Sequence, residues 1–306
     1  MSAAASRVAV ATTVAMRDAL SSGRRRGIAP WAERVAAMAE QSLMLEVSTF
    51  PKPGLVSDVD NGSHTDMDAA MFRRSAAAIR PFFRELVIAG LCNAEMATLR
   101  RIGLRGERAM LEATRGVNTH RGAIFGVGLL CAAAGLRATS HGYVNVPLGW
   151  LVAARWGRDI VSGPRLPDSH GEMASRRYGA GGARQEAARG FPSVYEVGLP
   201  ALRAALRATA GDAAAARVQA CFALIAKLED TNLLYRGGAE GLRYAQQLAQ
   251  RFLDAGGVRQ PRWQARARAV HDAFIERRLS PGGAADVLAM SVFAAHFESM
   301  ANRRRP

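Results

Sequence analysis

From Trp31 onward, apolar residues recur three and four positions apart rather than in alternation, which is the spacing of helices that bury one face. In residues 31–47 the recurring set includes Val35, Met38 and Leu45. A second helix is predicted over residues 68–91, with a bend at Pro81. It opens on Thr65-Asp66-Met67-Asp68, a capping-box-like run with Asp in place of Glu. Further helices are predicted over 93–114, 119–136, 146–156, 184–188, 195–209, 213–227, 240–254, 262–278 and 282–302. The last follows Ser280-Pro281, an N-cap residue with proline at the first helical position. Neither alternating β-branched runs nor strand–helix–strand punctuation occurs, and no unit repeats at a fixed period. The predicted fold class is all-α. One globular multi-helix domain spans 31–302, with a loose extension at 1–30 and a basic tail at 303–306.

The 306 residues are 49% hydrophobic and 22% charged, a globular balance with ample chain for a core. Cys92, Cys131 and Cys221 are too widely spaced for a disulfide framework or a metal motif, and they read as buried or idle thiols of a reducing cytosol. Residues 138–154 carry no charge, but His141, Asn145 and Pro147 make them a poor membrane span, so the membrane class is excluded. The net charge of +15 rests on arginine, because Lys52 and Lys227 are the only lysines among 41 basic residues. That bias, beside abundant alanine, reads as codon composition. The extension carries +4 and the Arg303–Arg305 tail +3, which leaves +8 on the body. Such a body favours anionic partners, either nucleic acid or phosphorylated small molecules. Its basic residues are scattered rather than aligned along one helix, which argues against nucleic acid. The extension is rich in Ser, Ala and Arg like a targeting peptide, yet Thr12, Thr13, Arg17 and Asp18 interrupt any apolar core.

No Walker A, HExxH, GxSxG or zinc spacing is present, so the candidate chemistry lies in five unusual junctions between helices. The first runs from Glu46 through Lys52, held between two prolines, to Asp58, Asp60, His64, Asp66 and Asp68. An extended lysine suits phosphate, and clustered aspartates suit Mg²⁺; an ordinary capped loop is the alternative. The second, Gly116-Val-Asn118-Thr119-His120-Arg121-Gly122, opens a helix and makes either an anion site or a plain cap. The third joins Asp168 and His170 to a glycine run ending at Arg184 and Glu186, a ligand-wrapping loop or a linker. The fourth is Asp230-Thr231-Asn232 followed by Tyr235-Arg236-Gly237-Gly238, a dense set of metal, ribose or phosphate contacts. In the fifth, Ser280 to Asp286, the aspartate either serves a ligand or complements the helix dipole. His141, His271 and His296 read as structural or surface residues, and Trp150, Trp156 and Trp263 as core or interface.

In this order and over roughly residues 31–300, the five motifs resemble the triphosphoribosyl-dephospho-CoA synthase family. The resemblance implies an all-helical enzyme that transfers the 5-triphosphoribosyl group of ATP to the 2′-hydroxyl of 3′-dephospho-CoA and releases adenine. The product is the precursor of an acyl-carrier prosthetic group and passes to a separate holo-acyl-carrier-protein transferase. The citrate-lyase-associated branch has lysine where Arg121 follows His120, which points to the malonate-decarboxylase-associated branch. The chemistry of that reaction suggests roles: Lys52, Arg121, Arg184 and Arg236 contact phosphate with His120 beside them, and Asn118 and Asn232 contact ribose or base. Asp66, Asp68, Asp230 and Asp286 stand on the Mg²⁺ side, with Asp66 and Asp68 also counted as catalytic. Glu46 is the general base or cation stabiliser. The expected setting is cytoplasmic, with no nucleic-acid or membrane partner, and a pocket built within one chain or across a homodimer. Two alternatives stand: a nucleotide N-glycoside hydrolase or ribosyl transferase with another acceptor, and, more remotely, a basic helical nucleic-acid-binding protein.

Overall fold

Between Arg121 and Arg137 the chain carries no charged side chain, and this stretch forms the helix at the centre of the molecule. The computed structural model describes residues 25–139, 145–164 and 170–302, and no β-strand occurs among them. In chain order the helices are α1 (Arg25–Val47), α2 (Ala69–Leu91), α3 (Met96–Ala113), α4 (Arg121–Thr139), α5 (Leu148–Ser162) and α6 (His170–Tyr178). They continue as α7 (Gly182–Ala188), α8 (Leu199–Ala208), α9 (Ala213–Lys227), α10 (Thr231–Asp254), α11 (Trp263–Glu276) and α12 (Gly282–Asn302). Residues 1–24 of the extension, His141, Asp168 and Arg303–Arg305 lie outside the described residues.

Helix α4 is apolar on every face and is surrounded by α1, α2, α3, α5 and α12. Glycines set the distances. A Cβ at Gly90 of α2 would overlap the carbonyl of Ala132, and one at Gly135 of α4 would overlap that of Val87. The two helices therefore cross with their backbones in contact. Gly126 makes similar room for Met290 of α12. Among the described residues, α4 is the one helix long and apolar enough to cross a membrane, but most of that stretch is buried inside the protein. It is the core helix, not the stretch 138–154 to which the sequence drew attention.

Several boundaries differ from the predicted ones for identifiable reasons. Helix α1 begins at Arg25 and continues through Pro30, where a missing amide removes one hydrogen bond near a helix end. Asp68 caps α2 by accepting from the Met71 amide at 2.6 Å, so the cap is three residues later than Thr65. Helix α6 escaped prediction because its nine residues are mostly polar. The junction 231–238 is itself helical, and the chain breaks helical geometry only at Gly238, whose φ of 63° is costly for other residues. Ser280 does not cap α12, because its hydroxyl lies 2.8 Å from His64 Nε2.

Candidate active site

Helices α4, α10 and α12 begin at one place. Segments 116–123, 227–232 and 280–287 all contribute to the wall of a cavity of about 1270 Å³. Each helix start points the positive end of its dipole at this wall, and side chains already take several of the amides there. The volume exceeds the roughly 300–1000 Å³ usual for one drug-sized ligand and leaves room for two nucleotides.

Two carboxylates stitch these helix starts together. Asp230 Oδ1 accepts from the amides of Asn232 (2.8 Å) and Leu233 (3.3 Å) in α10. Its Oδ2 accepts from the Ala284 amide of α12 at 2.8 Å, so Asp230 supplies the cap that Ser280 does not. Asp286, in the first turn and a half of α12, has the Ala123 amide at the start of α4 near its carboxyl, which favours the charged form. A Cβ at Gly122 would overlap the Asp286 carboxylate, which explains a glycine there. Asp286 lies deep in the body, with part of its surface open to the cavity. Burial, then the negative charges of Glu46 and Asp230, hold its carboxyl well above the usual carboxylate range. Burial also raises Asp230, against its three amide donors.

Glu46, at the end of α1, lines the cavity and is ion-paired with Lys52. Burial raises the Glu46 carboxyl, and the ammonium beside it pulls the other way. His271 clamps the lysine segment from behind. Its Nδ1 lies 2.6 Å from the Lys52 carbonyl and its Nε2 lies 2.9 Å from Asp60.

Two histidines face this region. His120 Nδ1 lies 2.7 Å from Ser75 Oγ, which accepts from Thr119 Oγ1 at 2.7 Å. Its Nε2 is a buried atom without a hydrogen-bond partner among the described residues. Burial, assisted by Lys52, pushes its pKa down to about 3, so the ring is neutral. His64 sits between Ser280 Oγ, Arg236 and Asp66, the last two being 3.3 and 3.6 Å from its Nδ1. With Arg236 donating to Nδ1, the proton belongs on Nε2 and is donated to Ser280. Burial and then Arg236 lower the His64 pKa, against Asp66.

The cavity wall thus gathers Glu46, Asp66, Asn118, His120, Arg121, Arg184, Asp230, Asn232, Arg236 and Asp286. Lys52 and Asp68 are not on it: the first is buried against Glu46 and the second caps α2. Several of the others also have structural tasks. Asn118 Oδ1 accepts from the Arg121 amide at 3.1 Å, Arg121 pairs with Glu107 at 3.0 Å, and Arg184 donates to carbonyls at the end of α5. His64 and Ser280 were not among the site residues expected from sequence, although both lie inside the quoted junctions. Their pairing across 216 residues leaves no local signal.

Among the described residues no three His, Cys, Asp or Glu side chains are grouped to hold a metal ion. Asp230 and Asp286 fit Mg²⁺ that arrives with a triphosphate, since Mg²⁺ commonly takes one or two carboxylates and completes its shell with phosphate and water. They do not make an all-protein cage.

Residues 32–305 match the family described as ATP:dephospho-CoA triphosphoribosyl transferase. A similar protein from Klebsiella pneumoniae, "2-(5''-triphosphoribosyl)-3'-dephosphocoenzyme-A synthase", is 41% identical over 279 residues, covering 87% of this chain and 91% of its own. Another from Stutzerimonas stutzeri, "Probable 2-(5''-triphosphoribosyl)-3'-dephosphocoenzyme-A synthase", is 42% identical over 268 residues, covering 86% and 91%. No solved structure matches the chain. The sequence match runs through the helices that build the cavity, and the chain belongs to the ATP:dephospho-CoA triphosphoribosyl transferase family, a family of transferases.

Proposed function

We propose that this chain joins the 5-triphosphoribosyl group of ATP to the 2′-hydroxyl of 3′-dephospho-CoA and releases adenine. The observation that carries the reading is the meeting of three helix N-termini with Asp230 and Asp286 in one cavity. The reaction needs an anion-binding wall for a triphosphate and negative charge beside a carbon that becomes positive. Helix starts with Arg121 beside them, and the carboxyl groups of Asp230, Asp286 and Glu46, are the groups that support this reading.

In the transfer, the bond from C1 of the ATP ribose to the adenine nitrogen breaks, and a bond from that carbon to the acceptor oxygen forms. The carbon passes through an oxocarbenium-like state; positive charge developing beside the raised Asp286 carboxyl favours its ionised form, and that carboxylate in turn stabilises the state. The hydroxyl proton goes to Glu46 as the general base, and the departing adenine takes up one proton from water at a ring nitrogen, so that charge and protons balance. Arg121 at the start of α4 and Arg236 in the second turn of α10 are the phosphate contacts, and Arg184 adds charge to the same cavity. Asn118 and Asn232 face ribose or base, with His120 beside them. Lys52 acts through Glu46. Mg²⁺ would be held by Asp230 and Asp286, where it would neutralise and orient the triphosphate. In this reading Asp66 serves His64 and Arg236 rather than the metal, and Asp68 is a cap. Arg121 after His120 favours the malonate-decarboxylase branch, with the product handed to a separate carrier-protein transferase. The three free cysteines suit a cytoplasmic setting.

The test is to incubate the protein with ATP, Mg²⁺ and dephospho-CoA and weigh the CoA product. The expected product carries one added triphosphoribosyl group, with one adenine released per acceptor consumed. Adenine released equally without dephospho-CoA would make the protein a hydrolase instead.

A further inference from the structure

One arm of the cavity has a different chemistry from its floor. Between α2, α3 and α4 it is walled by Leu86 of α2, Phe125 and Leu129 of α4, and Met96, Leu99 and Gly103 at helical spacing on α3, with Arg100 and Glu107 of α3 also in the lining. Gly103 lies inside an 18-residue helix, where glycine costs about 1 kcal/mol relative to alanine. Neither packing nor backbone geometry requires it. A Cβ there would meet nothing within 4 Å and its φ is not positive, in contrast to Gly90, Gly122 and Gly135, where a Cβ would collide. Leu104 beside it also lines the cavity and is 42% exposed, a large apolar side chain left without cover. The space at Gly103 is therefore free for something other than the protein.

We propose that this arm holds the pantetheine chain of the acceptor and that Gly103 keeps it open, an inference that rests on the functional reading above. The triphosphate of the donor belongs at the helix starts, where amides and arginines are. A neutral, flexible amide–thiol chain is the part of the two substrates that suits apolar walls. The acceptor's diphosphate then lies at the junction of the arm and the floor, with its 2′-hydroxyl directed toward the carboxylates. Length and polarity select the acceptor: a nucleotide that lacks the chain leaves the arm empty.

The experiment is calorimetric titration of the full-length protein, with its donor site filled by saturating carbocyclic ATP that cannot transfer its ring. The titrants are dephospho-CoA and ADP, which is dephospho-CoA without its pantetheine chain. Both titrations are repeated on Gly103→Leu. Wild type is expected to bind dephospho-CoA at least about tenfold more tightly than ADP, the loss expected from two or three unburied methylenes. In Gly103→Leu that preference disappears while ADP binding stays, and the thermal midpoint is at or above that of wild type. Equal binding of the two ligands by wild type overturns the proposal, and this arm of the experiment needs no variant. A preference that survives the leucine also overturns it. Failure of the functional reading is separate, because it is read from product formation and not from binding.

Discussion

At the residue scale, the buried polar groups near the cavity make stability depend on pH and on pairing. His120 is held neutral, with a folded pKa of about 3 against an ordinary 6.5. The unfolded chain therefore takes up a proton that the folded chain refuses, and stability falls as the pH drops from about 6.5 toward 3. By pH 5 the share due to His120 is about 2 kcal/mol. His120→Gln should show a smaller loss of denaturation midpoint between pH 7.5 and 5 than wild type. The raised carboxyls act in the opposite direction and cancel in that comparison. Equal losses would show that His120 is not the neutral, buried group described. Lys52 gives a second test. Lys52→Met strands Glu46 in the interior and is expected to cost about 3–5 kcal/mol in urea unfolding, with Lys52→Met/Glu46→Gln recovering most of it. A single variant within 1 kcal/mol of wild type, by the usual ~0.5 kcal/mol scatter of surface changes, would mean the pair is not buried.

At the element scale, the close crossing of α2 and α4 rests on two glycines. Gly135→Ala forces a Cβ into a backbone carbonyl that cannot give way, so a loss of about 2–4 kcal/mol or failure to fold is expected. Gly103→Ala places the same methyl in open space and should raise the thermal midpoint. If both variants melt alike, the helices do not cross as described. What sequence revealed at this scale follows from where each signal resides. Ala213–Lys227 was legible to the residue because Asp212 caps it, accepting from the amides of Ala214 and Ala215, and its apolar positions repeat cleanly. The first turns of α10 were not, since Gly237-Gly238 reads as a break and only the second glycine leaves helical geometry. The start of α12 was read as self-capped by Ser280. Its cap comes from Asp230, a side chain 54 residues away whose presence no local rule could supply.

At the scale of the whole molecule, twelve α-helices among the described residues bring five junctions, far apart in the chain, to one cavity. The sequence marked those junctions as unusual. It could not say that Asp230 and Asp286 would meet at helix starts in one cavity, or that Lys52 would turn inward. The most telling feature is Asp286, a deeply placed carboxylate set beside two others, Glu46 and Asp230. Such a group costs stability and is retained where a reaction needs it. The most direct test is the initial rate of dephospho-CoA-dependent adenine release by wild type and Asp286→Asn, with thermal midpoints measured on the same samples. Asn keeps the shape and removes the ionisable carboxyl. The variant is expected to melt at or above wild type and to lose at least about a hundredfold in rate. A folded Asp286→Asn protein that releases adenine at the wild-type rate would contradict the account, because the carboxylate at the meeting of the helix starts would then take no part in the transfer.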